Sequence, residues 1–117
     1  MNGFFTVVFE GPVGAGGGVV LLQDGHVLGG DSAYYYEGTF TERENQLNAR
    51  IDVRVFLQGV QSVFGIAPPF ALNITGTFAN GEVTGAASLV GNDGARMRFR
   101  MVRRAEIPNA AAVGGAR

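Results

Sequence analysis

A chain of 117 residues with 46% apolar and 16% charged side chains reads as one globular domain rather than a disordered polymer. Its 19 glycines keep no three-residue period, which excludes collagen. Cysteine, tryptophan and lysine are absent and all nine basic residues are arginine. That excludes a disulfide scaffold, a thiolate–metal or iron–sulfur site, a Walker-A lysine and a Schiff-base enzyme. The net charge of −1 and pI of about 5.7 argue against a dedicated nucleic-acid binder.

The N-terminal end lacks a basic segment, and the apolar run Phe4 to Phe9 is too short for a signal-peptide core. No stretch has the 18 apolar residues of a membrane helix. A soluble, cytoplasmic protein is the expectation. Phe5, Val7 and Phe9 alternate with Phe4, Thr6, Val8 and Glu10, the period of a strand. The run from Gly14 to Gly18 then suggests a flexible hairpin connection or a bulge. A dinucleotide loop would need a third glycine where Val19 stands and a helix after it. Val19 to Leu22 is a short apolar strand. Asp24-Gly25 is a hairpin turn, and His26-Val27-Leu28 returns from it.

After the break at Gly29 to Ser32, Tyr34, Tyr36, Gly38 and Phe40 share one face, and Tyr35, Glu37 and Thr39 the other. Thr41 to Asn45 reads as a solvated hairpin tip. From Gln46 to Phe56, Leu47, Ala49, Ile51, Val53 and Val55 oppose Asn48, Arg50, Asp52 and Arg54, a half-buried strand. Gly59 to Pro69 breaks the alternation. Val60, Val63 and Phe64 have helical spacing, so a short helix or a capping loop over a barrel mouth is predicted.

Leu72, Ile74, Gly76 and Phe78 resume the strand period, and Asn80-Gly81 is the strongest turn signal. Glu82 to Val90 follows, then a turn at Asn92-Asp93-Gly94. Last, Arg96, Arg98 and Arg100 alternate with Met97, Phe99 and Met101. About eight short strands joined by tight turns predict a mainly β protein, a small antiparallel up-and-down barrel. One barrel domain over residues 1–105 and a flexible C-terminal tail over 106–117 are expected.

No catalytic constellation stands out. His26, Asp31 and Ser32 lack a nucleophile-elbow motif, and no metal-ligand or cofactor spacing is present, so no catalytic, metal or cofactor site is assigned. The candidates are contact residues. Tyr35 opposes Tyr34 and Tyr36 and suits an interface. Residues 1–95 hold three arginines against nine acids, whereas residues 96–117 hold six against one. On that basic segment Arg96, Arg98 and Arg100 share a strand face that either pairs within the fold or meets an acidic partner. Glu42 and Glu44 form a further candidate protein contact.

Four segments carry a family resemblance: Gly3-Phe4-Phe5-Thr6-Val7-Val8-Phe9, Gly17-Gly18-Val19-Val20, Gly29 to Phe40 with its tyrosine triplet, and Gly59-Val60-Gln61-Ser62-Val63-Phe64-Gly65. In order and spacing they resemble the GrlR-like negative regulators of type III secretion, over about Gly3 to Arg100. The resemblance implies a barrel distantly like lipocalins and calycins, a helical insertion, a homodimer, and a non-enzymatic role in sequestering a transcriptional activator. The family's acidic Glu-Asp-Glu-Asp run has no counterpart here. A regulatory protein-interaction module is therefore the first expectation. A carrier or sensor of a small apolar ligand in the barrel interior is the alternative.

Overall fold

The computed structural model describes residues 1–108. Eight strands follow in chain order: β1 (Gly3–Gly11), β2 (Gly14–Gln23), β3 (His26–Gly30), β4 (Tyr34–Arg43), β5 (Gln46–Val55), β6 (Phe70–Ala79), β7 (Glu82–Leu89) and β8 (Asn92–Ala105). Each pairs antiparallel with the next. β8 returns to β1, with Val7 opposite Met101 and Phe9 opposite Phe99, so the meander closes into a barrel. Closure gives every strand two neighbours and leaves no open sheet edge.

Tight turns explain the topology. Asp24-Gly25, Glu44-Asn45 and Asn80-Gly81 each hold two successive residues at positive φ, between 50° and 83°. That is the backbone of a type I′ turn, whose twist matches that of the strands it joins. The alternation then fixes which face is inside. Phe5, Leu22 and Val83 are fully buried, and Val7, Val20, Tyr34, Tyr36, Leu47, Ile51, Leu72, Phe99 and Met101 complete the core. Arg50, Asp52 and Arg54, and likewise Arg96, Arg98 and Arg100, point outward.

Three expectations need correction. The glycine run is neither a turn nor a connection, because Gly14 to Gly18 lies within β2, paired with Val7 to Gly11 of β1. A Cβ on Gly16 would stand 2.7 Å from the Phe9 ring, so the missing side chain makes room for an inward aromatic. The turn expected at Asn92 to Gly94 falls instead at Val90-Gly91, with Gly91 at φ 90°. The register shift between Ser88 and Leu89 absorbs the extra residues, since Ser88 faces Arg96 but Leu89 faces Asn92. Finally, for Gly59 to Pro69 only the helix alternative is corrected, since no helix occurs among the described residues. The segment is the capping loop, held by side-chain and backbone bonds to its neighbours. Of the expected tail, 106–108 has no regular structure and 109–117 lies outside the described residues.

Candidate functional site

The connections at Pro12-Val13, Asp31–Ala33, Phe56–Pro69 and Val90-Gly91 gather at one end of the barrel. Two bonds tie the long connection to that mouth and a third braces it internally. Val13 N–H donates to the Val63 carbonyl at 3.0 Å, the Tyr34 hydroxyl donates to the Val60 carbonyl, and the Ser62 hydroxyl donates to the Ile66 carbonyl at 2.6 Å. Phe64 packs edge-to-face on Phe70, ring centres 5.7 Å apart, which pins the loop to the start of β6.

Beneath the loop lies a cavity of about 250 Å³. Its wall is largely apolar: Val7, Val20, Leu22, Ile51, Leu72 and Phe99 from the strands, Val63 and Phe64 from the loop. Barrel geometry accounts for it. Eight strands enclose an interior that side chains can fill or a small ligand can occupy, and here small residues such as Ala49 and Gly16 line part of the wall.

The polar groups collect at the covered end. One Asp31 oxygen accepts the backbone N–H groups of Ala33 and Tyr34, both at 2.9 Å, shaping the turn into β4. The other accepts the Tyr36 hydroxyl. Burial pushes the Tyr36 phenol well above its ordinary range, and the bond to Asp31 and that carboxylate's charge add to the shift. Tyr34 is raised by the same first cause, with Asp31 again contributing. Both phenols therefore act as neutral hydrogen-bond donors.

The residues expected to make contacts do not form one site. Tyr35 lies on the outer face of β4, 43% exposed, its ring 6.5 Å from that of Phe56. Arg96, Arg98 and Arg100 lie on β8, four strands round the barrel. Arg98 pairs with Glu10 at 2.7 Å and Arg100 with Glu82, whereas Arg96 forms no ion pair among the described residues. Glu42 ends β4 at the far mouth, where it accepts the Met1 amino group at 2.6 Å, and Glu44 sits in the adjacent turn. His26 starts β3 while Asp31 and Ser32 follow its end, so the length of that strand separates them. Among the described residues no cluster of three or more acids and histidines is placed to hold a metal ion.

A second surface escaped sequence reasoning. Outside β1, β2 and β3, Phe4 faces Leu21 and Leu21 faces Leu28, while Thr6 faces Val19 in the next row. Phe4, Val8, Val19 and Leu28 are 38%, 58%, 41% and 49% exposed, an apolar cluster on the outer face with Thr6 among it. The signal was the run Phe4 to Phe9 of β1, which has apolar side chains on both faces and is broken only by Thr6. No helix among the described residues is long and apolar enough to cross a membrane. No protein-family model matches the chain, and no curated protein matches it significantly.

Proposed function

We propose that the chain is a non-enzymatic binding module that holds one small apolar molecule inside its barrel. The supporting observation is the 250 Å³ cavity under a loop fastened by the Tyr34 hydroxyl and the Val13 amide. Pockets that bind small molecules combine an apolar wall with a few convergent polar groups, and here Asp31, Tyr36 and Ser62 are those groups. Native mass spectrometry of protein gently isolated from its host tests the reading. A reproducible extra small-molecule mass supports it, and bare protein together with failure of apolar probes to bind overturns it.

The exposed face of β1 to β3 favours a second reading. The chain then works in the cytoplasm as a regulatory interaction module, a homodimer that captures a protein such as a transcriptional activator, as the resemblance to GrlR-like regulators implies. Its supporting observation is the exposed cluster of Phe4, Val8, Val19 and Leu28, the kind of apolar surface that marks interaction sites. A strictly monomeric protein whose surface variants capture partners normally would overturn it. The two readings are compatible, since cavity and face share the same strands.

A further inference from the structure

We propose that the cavity ligand is an apolar amine, with its ammonium at Asp31 and its hydrocarbon part in the barrel. The inference deepens the small-molecule reading above and rests on it. Charge is the first argument. Of all the residues that line the cavity, Asp31 alone carries a formal charge, and no arginine or histidine is among them. No cationic side chain pairs with Asp31 among the described residues. A carboxylate ligand would meet only like charge there, while a cation would meet at short range an anion that has no cationic partner.

Geometry is the second argument. A carboxylate offers about four acceptor positions. Asp31 uses three of them, on the Ala33 and Tyr34 amides and the Tyr36 hydroxyl. Those bonds fix the group in place and leave one position for an N–H donor. The hydroxyls of Tyr34 and Ser62 are spent on loop carbonyls, and the remaining polar side chains of the lining, Ser32 and Gln61, are neutral and exposed, so no charged donor faces an anionic head. Size is the third. An apolar cavity of about 150 Å³ takes one benzene, so 250 Å³ scales to roughly ten carbon atoms.

The test is calorimetric titration of the intact chain at neutral pH with octylamine, octanol and octanoate, which share a tail and differ in head charge. Octylamine is expected to bind one per chain, at least tenfold more tightly than octanoate, with octanol between them. Asp31→Asn keeps the shape and the acceptor oxygen but removes the charge, and is expected to bring the amine down to the level of the alcohol. Ala49→Leu, which takes up roughly a third of the cavity, is expected to weaken all three and so distinguishes the interior from surface adsorption. Octanoate binding as well as octylamine overturns the amine assignment and leaves the small-molecule reading standing. Failure of all three to bind overturns both. Should Asp31→Asn fail to fold, the ranking on the native chain still decides.

Discussion

The Tyr36 hydroxyl donates to the carboxylate oxygen of Asp31 that the turn does not use, joining the first part of β4 to the β3–β4 connection. One side chain thus sets the turn with one oxygen and receives a core phenol with the other. Tyr36→Phe removes the donor and leaves that oxygen short of a partner. A lost hydrogen bond to a charged group costs about 1.5–3 kcal/mol. Partial exposure of Asp31 lets water compensate, so a loss near the lower end is expected, read from the urea midpoint at unchanged slope. A stability equal to the native protein's would mean that the bond contributes nothing.

The same pair makes stability fall in alkali. A buried phenol raised above its ordinary value of about 10 keeps its proton when the unfolded chain has lost its own. Below pH 10 both states are protonated and the stabilisation is fully present. Above pH 10 the unfolded state binds fewer protons than the native state, so stability declines as pH rises. Denaturant midpoints measured from pH 8 to 11 should show this decline, and Tyr36→Phe should flatten it. An equally steep decline in the variant would assign the effect to other groups.

Tyr34 controls the cap. Its hydroxyl ties β4 to the Val60 carbonyl, and the next bond along the loop runs from Val13 to Val63. Tyr34→Phe should loosen the loop more than the barrel. The loss of about 1 kcal/mol that a neutral bond represents should appear as exchange of the Val13 and Gly65 amides faster by about fivefold, with strand amides such as those of β5 unchanged. Uniform acceleration across the barrel would show instead that the cap and the strands open together.

Much of the barrel was legible in the sequence because its signals are local. Asp24-Gly25 and Asn80-Gly81 announce their turns through residues that accept positive φ, and Leu47 to Val55 announces its inner face through strict alternation. The cap was half legible. Val60, Val63 and Phe64 show helical spacing, yet Val60 and Val63 bond to Tyr34 and Val13 of other segments and Phe64 packs on Phe70, so tertiary contacts override the local period. The Asp31–Tyr36 pair could not be read, because a turn carboxylate and a phenol five residues on reveal nothing until β3 and β4 are paired. Gly14 to Gly18 misled for a related reason. Glycine usually signals a turn, but here it yields space to Phe9 across the strand.

Gly38 illustrates the same demand more severely. A Cβ there would stand 2.0 Å from the Arg50 carbonyl and 2.7 Å from the Ile51 Cα, both backbone atoms of the paired strand. Neither can rotate away as a side chain would. Gly38→Ala should therefore destabilise by more than about 3 kcal/mol, the large-effect class reserved for strain and overpacking. Total stability of a domain this size is only about 5–15 kcal/mol, so the variant should melt well below the native protein by circular dichroism. A variant within a few degrees of native would mean that β4 and β5 move apart at little cost.

The outer face separates assembly from folding. Val8 and Leu28 are about half exposed and contribute little to the core, so replacing them with Glu should change monomer stability by no more than about 0.5 kcal/mol. If the face is a dimer interface, the charges lie within it on both copies and must be desolvated without partners. The double variant Val8→Glu, Leu28→Glu should then sediment as a monomer at concentrations where the native chain is a dimer, with an unchanged circular dichroism spectrum. Substituting Arg96 and Arg98 with Ser on the far side of β1 should leave the dimer intact. Dissociation by the arginine variant and not by the glutamate variant would move the interface to β8, where Arg96, unlike Arg98 and Arg100, forms no ion pair among the described residues.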